Sequence, residues 1–164
     1  MNLDNSRELA MAAADLAADG KALGIVILDL HEVSSVADYF VLASGRSHIQ
    51  VESICDRIAE GVHDKLDEKP LSVEGLENAL WAVIDYGSVV VHVFQESVRE
   101  IYDLERLWSL APRWRYEDGP LPRTPLTPAG PAAPARKKAG STGRTAAARK
   151  KANGSAGVRR TAGA

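Results

Sequence analysis

This sequence of 164 residues has a single cysteine and no set of residues spaced like metal ligands. Cys55 is the only cysteine, which excludes an internal disulfide framework and leaves no pair of thiols for a zinc ribbon or a redox site. The four histidines show no metal-ligand spacing among themselves or with Cys55; they are His31, His48, His63 and His92. We therefore expect no bound metal and no cofactor.

Long hydrophobic runs are absent as well. No segment approaches the roughly 18 consecutive apolar residues that a membrane-spanning helix needs. The first 20 residues lack the basic start and the apolar centre of a secretory signal peptide. We therefore expect a cytoplasmic protein that does not bind a membrane.

Acidic residues are missing from the last part of the chain. All 22 Asp and Glu precede residue 119, whereas 10 of the 20 Lys and Arg follow it. The formal net charge of -2 thus combines an acidic body of about -12 with a basic tail of about +10. Such a body favours a basic protein partner over bare nucleic acid, whereas the tail favours non-specific contact with polyanions such as RNA.

The tail that begins at Gly119 also lacks aromatic residues and is rich in Pro, Gly and Ala. The pentapeptide ARKKA occurs in it twice, at 135–139 and 148–152. This composition cannot bury enough apolar surface to offset the entropy lost on ordering. We predict one folded domain, residues 1–118, followed by a disordered basic tail, residues 119–164.

Hydrophobic periodicity predicts the elements of the folded domain. Helical spacing occurs in 4–19, 48–67 and 97–108, and strand-like runs occur in 25–30, 38–45 and 71–74. Ser47 and Gln50 have the spacing of a capping box at the start of the second helix. The run WAVIDYGSVVVHVF, residues 81–94, predicts an antiparallel hairpin. The predicted fold class is α/β, with helices flanking a mixed β-sheet.

The turn of this hairpin has two readings. Gly87 suits either a three-residue loop with a bulge or the second central position of a type II turn. The two registers differ by one residue, so the faces of Trp81 and Asp85 relative to His92 stay open. Within the second strand, Val90, His92 and Phe94 share one face, and the three valines at odd positions form a core face.

Catalytic patterns are weak. No nucleophile stands near His92 in the sequence, so we predict a histidine that is partly buried in the sheet and satisfied by a neighbour. The segment ASGRS, 43–47, could cradle a phosphate at a helix start, but the carboxylates that a Mg²⁺ site would need, Glu74 and Asp85, are isolated. We predict a protein that is not an enzyme; the alternative is a nucleotide-binding or nucleotidyltransferase-like enzyme.

Aromatic and acidic residues are the most informative feature that remains. Exposed aromatic rings surrounded by carboxylates are typical of a surface that docks on a basic protein. Trp81 and Trp108 could equally belong to the core, whereas Tyr86 is predicted to be exposed at the turn. The full set is Asp38, Tyr39, Trp81, Asp85, Tyr86, Tyr102, Asp103, Glu105 and Trp108.

Three segments resemble the ribosomal silencing factor family, also called the Iojap-like proteins. They are SSVADYFVLASG at 34–45, WAVIDYGSVVVHVF at 81–94 and REIYDLERLW at 99–108. The resemblance covers about residues 5–114 and leaves the tail outside. The family commonly has an aspartate after the turn glycine, where this chain has Ser88.

The resemblance implies a nucleotidyltransferase-like shape without the catalytic carboxylates. It implies a translational repressor that binds the large ribosomal subunit through ribosomal protein L-fourteen and blocks subunit joining when nutrients are short. Organellar relatives are tied to large-subunit assembly. The oligomeric state stays open, since an exposed apolar docking face also allows a homodimer of the free protein. The residues that the resemblance assigns to partner binding are Trp81, Asp85, Tyr86, Gly87, His92, Phe94, Tyr102, Leu104, Glu105, Leu107 and Trp108.

Overall fold

The computed structural model describes residues 3–121, which form four α-helices, six strands and a 3-10 turn. In chain order these are α1 (Leu3–Asp19), β1 (Leu23–Asp29), β2 (Tyr39–Gly45), α2 (His48–Leu66), β3 (Ser72–Glu74), β4 (Trp81–Asp85), β5 (Val89–Gln95), α3 (Glu96–Tyr102), α4 (Leu104–Leu107), β6 (Arg113–Arg115) and the 3-10 turn (Tyr116–Asp118).

The six strands form one mixed sheet in the order β3-β4-β5-β2-β1-β6. Strands β2 and β5 at its centre are parallel, and every other neighbouring pair is antiparallel. The predicted mixed α/β fold is therefore confirmed. The two edge strands, β3 and β6, are only three residues long, which limits the unpaired backbone that the sheet exposes.

Two hydrophobic clusters lie on opposite faces of the sheet. Helices α1 and α2 cover one face, where the valines of β5 at positions 89, 91 and 93 are fully buried. Residues of α4 and of the segment after it cover part of the other face, where Phe40, Val90 and Phe94 lie. The prediction that the all-valine face of β5 belongs to the core is confirmed.

The start of α2 has the predicted capping box. The hydroxyl of Ser47 accepts a hydrogen bond from the Gln50 backbone N–H at 3.3 Å, and Gln50 Oε1 accepts one from the Arg46 N–H at 2.8 Å. The first bond satisfies a donor that the first turn of a helix leaves free, and the second reaches the residue before Ser47 instead of Ser47 itself, which makes this a variant of the capping box. The helix ends at Asp67, which has a left-handed φ of 54°.

The hairpin between β4 and β5 has neither of the predicted turns. Gly87 and Ser88 are its central residues, and the Tyr86 N–H donates to the Val89 carbonyl at 2.9 Å. Gly87 has a φ of +83°, which glycine adopts without strain. Trp81 consequently lies opposite Phe94, and Val83 lies opposite His92.

The predicted single helix at 97–108 is wrong, because the chain breaks between α3 and α4. Asp103 has a φ of 43°, and its N–H donates to the Arg99 carbonyl as a helix C-cap. The sequence reading also missed β6, a strand too short to show alternation. Trp114 of β6 pairs with Ile27 of β1 and is buried.

The described part of the chain continues just past the predicted boundary at residue 118. Leu121 is buried, and its carbonyl accepts a hydrogen bond from the Arg7 guanidinium. The rest of the predicted tail, 122–164, lies outside the described residues. None of the helices in residues 3–121 is long and apolar enough to cross a membrane.

Candidate functional site

An aromatic cluster covers the sheet face opposite α1 and α2. Trp81 stacks on Phe94 with ring centroids 5.1 Å apart and contacts Tyr102 at 4.6 Å. Phe40 meets His92 edge to face at 4.7 Å and contacts Trp108 at 5.4 Å. We call these six residues, from β2, β4, β5 and the segment 102–108, the aromatic cluster. The cluster joins the hairpin to the last two helices.

His92 is a buried, neutral member of the aromatic cluster. Trp81 Nε1–H donates to His92 Nδ1 at 3.2 Å, and an indole N–H can only donate, so the neutral imidazole carries its proton on Nε2. Burial lowers the pKa of His92 to about 4, against the opposing effect of the Asp85 charge. The prediction of a buried histidine satisfied by a neighbour is confirmed for Nδ1. A base this weak is poorly suited to proton transfer near pH 7.

Large apolar side chains are exposed beside the aromatic cluster. Ile101 is 77% exposed, Tyr102 54%, Leu107 72% and Leu110 77%. We call these four residues the apolar rim. Three of them, Ile101, Tyr102 and Leu107, line an open groove of about 520 Å³ together with Glu100, Asp103 and Arg106. Exposed apolar side chains at this density, interspersed with charge, are typical of a protein docking surface.

The break at Asp103 places Ile101 and Leu104 in separate helices. In one continuous helix, Ile101, Leu104 and Leu107 would occupy neighbouring positions on one face. With the helix broken, Leu104 is buried, while Ile101 and Leu107 face solvent. Sequence reasoning assigned these residues to one helix face and so missed Ile101, and Leu110 in the segment that follows, as surface residues.

The structure separates the eleven predicted partner-binding residues by accessibility. Tyr102 and Leu107 are exposed, and Trp81, Asp85, Gly87, Glu105 and Trp108 are half-buried. Tyr86, His92, Phe94 and Leu104 are buried, so in this conformation they can shape a docking surface but cannot form it. The partner-binding role of the set stays a prediction.

The prediction that Tyr86 is exposed at the turn is wrong. Its side chain packs in the core on the α1 and α2 face, opposite to Trp81 and His92, and is 5% exposed. Burial raises the pKa of its phenol to about 12. The hydroxyl has no hydrogen-bond partner within residues 3–121. Tyr86 is therefore a core residue.

Asp85 has a structural role in the same turn. Its Oδ1 accepts the Gly87 backbone N–H at 2.6 Å, which closes the start of the turn. Aspartate commonly makes this bond to a backbone N–H two residues ahead. The carboxylate is thus already engaged within the hairpin.

At the phosphate cradle considered for residues 43–47, the cap of α2 already uses backbone N–H groups that a phosphate would need. The Arg46 and Gln50 N–H groups donate to side chains of the capping box. A Cβ at Gly45 would lie 3.0 Å from the Val51 side chain, so the loop is already closely packed there. Nothing in this geometry favours a nucleotide at the junction.

A polar cluster on the loop between β1 and β2 was missed by sequence reasoning. Asp29 is buried, and its Oδ1 lies 2.6 Å from His31 Nδ1, while Asp38 accepts the Ser6 hydroxyl at 2.6 Å. These bonds tie the loop to α1. Within the described range, no group of three or more His, Cys, Asp or Glu could hold a metal ion.

Comparison with known proteins is consistent with the resemblance. A family profile described as "Ribosomal silencing factor during starvation" matches residues 3–153, and so reaches into the tail that the resemblance left out. The Bacillus subtilis protein "Ribosomal silencing factor RsfS" is 41% identical over 115 residues, which are 68% of this chain and 92% of that protein. The mouse protein "Mitochondrial assembly of ribosomal large subunit protein 1" is 31% identical over 91 residues, 54% of this chain and 40% of that protein.

A solved structure supports the same assignment. A crystal structure of a protein from Chromobacterium violaceum superposes with a TM-score of 0.61 and 27% identity. The alignment covers 81% of this chain and all of that one. Since the family profile spans most of the sequence, and since a relative aligned over 92% of its own length is 41% identical over the aligned residues, the chain belongs to the ribosomal silencing factor family.

Proposed function

We propose that this protein is a translational repressor that acts by binding and not by catalysis. It binds the large ribosomal subunit through ribosomal protein L-fourteen and keeps the small subunit from joining. Family membership supports the silencing role, and the printed name of the mouse relative links a related protein to the large subunit. Its place of action is the cytoplasm, where ribosomal subunits join.

The apolar rim is the observation that carries the proposal. Exposed apolar side chains on α3, on α4 and just after α4 offer buried contact area, and the half-buried rings of Trp81 and Trp108 lie behind them. Two carboxylates, of Glu100 and Asp103, outnumber the one guanidinium, of Arg106, in the same groove and favour a partner with basic side chains. A basic ribosomal protein fits this chemistry.

Occlusion is the mechanism that follows. All 22 acidic residues lie before residue 119, so the folded body is repelled by ribosomal RNA and gains most by docking on a basic protein. The small subunit cannot approach a joining surface that a folded body of this size occupies. In free protein the apolar rim could pair with a second copy, and such a homodimer would compete with ribosome binding.

Replacing one rim residue by a charged residue tests the proposal. In Leu107→Asp a carboxylate replaces an apolar side chain that is 72% exposed, so binding to the large subunit should weaken at least about 10-fold. Ile49→Asp is a matched control, because Ile49 is 66% exposed but lies on α2, on the opposite side of the sheet. Cosedimentation with purified large subunits measures binding, and sucrose-gradient sedimentation after adding small subunits measures joining.

Two outcomes would contradict the proposal. Undiminished subunit joining at saturating, demonstrably bound wild-type protein would exclude occlusion. Equal binding by Leu107→Asp and Ile49→Asp would show that the apolar rim is not the docking surface. Binding of the wild-type chain to isolated L-fourteen protein, lost in Leu107→Asp, would identify the partner on the subunit.

A further inference from the structure

We propose that Arg99 is a positioning residue that holds α3 and α4 in the arrangement that presents the apolar rim. The proposal rests on the proposed function, since it concerns the same docking surface. Arg99 does not need to touch the partner. Its side chain is 13% exposed and is engaged by groups from three other parts of the chain.

The bonds of Arg99 reach the neighbouring antiparallel strands β1 and β2 and the next helix. Nη1 donates to the Gly24 carbonyl at 2.6 Å and to the Ser44 hydroxyl at 3.0 Å. Nη2 and Nε donate to the two carboxylate oxygens of Glu105 at 2.8 and 3.3 Å. A guanidinium can make these bonds together because its N–H donors are arranged as a planar fork. A lysine ammonium is a single compact donor group and cannot fully replace it.

Apolar packing by itself holds these two helices weakly. None of the residues of α3 is buried, and Leu104 is the buried residue of α4. Neither helix has a side-chain cap at its N-terminus. The left-handed φ of 43° at Asp103 is unfavourable for a residue with a side chain and persists only where its surroundings hold it. The hydrogen bonds of Arg99, which we call the anchor, therefore supply the stabilisation that apolar packing and helix caps do not.

The Arg99–Glu105 pair spans the break directly. Arg99 belongs to α3 and Glu105 to α4, so the bidentate ion pair fixes the angle between the two helices across Asp103. Ile101 and Tyr102 lie on one side of the break and Leu107 on the other. The relative placement of these rim residues therefore depends on the pair.

Gly24 is shaped to receive the guanidinium. It has a φ of +55°, and an added Cβ would lie 3.0 Å from Arg99 Nη1. A side chain there would be strained and would crowd the bond to the Gly24 carbonyl. Ser44, buried at 3% exposure on β2, offers its hydroxyl from the neighbouring strand. The site is thus built from residues 55 and 75 positions away in the chain.

The test compares Arg99→Met with Arg99→Lys in the full chain. Methionine keeps much of the apolar stem and removes every hydrogen bond, whereas lysine keeps the charge and part of the donor set. Hydrogen–deuterium exchange should become about 10-fold faster in residues 96–108 of the Met variant and stay unchanged in β4 and β5. Affinity for purified large subunits should fall about 10-fold, and the Lys variant should recover part of both.

Ser44→Ala provides a milder variant in case Arg99→Met does not fold. It deletes one acceptor of the anchor, and it should accelerate exchange in 96–108 less than Arg99→Met while still weakening binding. Leu107→Asp is the control for direct contact, since it should lose binding without accelerating exchange in that segment.

The outcomes separate this inference from the proposed function. Faster exchange with unchanged affinity, or unchanged exchange in both anchor variants, would overturn the positioning role of Arg99. If Leu107→Asp binds normally, the docking surface itself is wrong and the proposed function fails at this site. Loss of binding in Leu107→Asp together with faster exchange and weaker binding in the anchor variants supports both.

Discussion

Burial changes the chemistry of individual side chains in this protein. The indole N–H of Trp81 donates a hydrogen bond to Nδ1 of His92, and the surrounding rings bury Nε2 away from water. The protonated ring would need to donate from Nδ1, where the indole N–H already points. The neutral form is therefore favoured twice, by desolvation and by its hydrogen bond.

The free energy of unfolding should fall with decreasing pH through His92. The pKa is about 4 in the folded protein and about 6.5 in the unfolded chain, so the unfolded chain binds the proton first as the pH falls. The free energy of unfolding should fall by about 2 kcal/mol between pH 7 and pH 5 and by about 1 kcal/mol more by pH 4, with the loss complete about one pH unit below the folded pKa. Urea unfolding at a series of pH values measures it.

His92→Gln is the control for this titration. Its amide oxygen can accept the Trp81 N–H without titrating, while the carboxylates titrate alike in both proteins. Subtracting the two pH profiles should leave the histidine contribution. Profiles that run parallel between pH 7 and pH 5 would contradict a buried, neutral His92.

Tyr86 should contribute to stability and not to partner affinity. Tyr86→Ala empties part of the core under α2 and should cost about 3 to 4 kcal/mol of unfolding free energy. Tyr86→Phe removes a buried hydroxyl without a partner in the described structure and should change stability by less than about 1 kcal/mol in either direction. Chemical denaturation separates the two variants; weaker subunit binding by a folded Tyr86→Phe protein would argue against this assignment.

At the scale of elements, tight connections decide how the short strands pair. Gly75 lies between β3 and β4 with a φ of +83°, and an added Cβ would overlap the Trp81 carbonyl oxygen. The backbone of the connection passes so close to β4 that only glycine fits. This contact places the edge strand β3 and the start of β4 together.

Gly75→Ala should therefore destabilise the protein far more than a positive φ alone explains. We expect a loss of at least about 3 kcal/mol, because the clash is with backbone and not with a flexible side chain. Gly119→Ala is the matched control, since Gly119 has a φ of +98° and open space around its Cα. That change should cost about 1 to 3 kcal/mol, which is the strain of the Gly119 backbone conformation without a clash. Equal losses in thermal or chemical unfolding would refute the steric argument.

At the scale of the whole molecule, charge is separated along the chain. The charge of the 10 basic residues after position 119 favours phosphate contacts, whereas the charge of the acidic body opposes them. The body and the tail should therefore make distinct contributions to binding. We expect the body to supply specific docking and the tail to supply salt-sensitive affinity.

A chain that ends at residue 121 tests this division. It keeps the buried Leu121 and should still block subunit joining, but with lower affinity and a shallower dependence on salt than the full chain. A full-length variant with glutamine at every basic residue of the two ARKKA segments separates charge from chain length. Cosedimentation at increasing salt measures the slopes, and loss of all joining activity in the truncated chain would contradict the prediction.

Local patterns in the sequence determined the elements and the family. The hydrophobic periodicity of helices and strands, 3.6 and 2 residues, is a local pattern in the sequence. The sequence therefore predicts α1, α2 and the strands of the hairpin close to their observed bounds. The capping box of α2 was predicted for the same reason. The family signature is likewise a linear pattern of residues. The accessible members Tyr102 and Leu107 of the candidate site were named, although nothing local marked them as exposed.

Tertiary structure alone decided which face each of these residues occupies. The hairpin register, and with it the burial of Tyr86 on the α1 and α2 side, depends on a turn at Gly87 that local chemistry left open. The break at Asp103 is held by Arg99, whose partners Gly24 and Ser44 are far away in the chain. Strand β6 exists because β1 offers it an edge. Each feature depends on contacts between residues that are far apart in the sequence. A local stretch of sequence therefore cannot predict it.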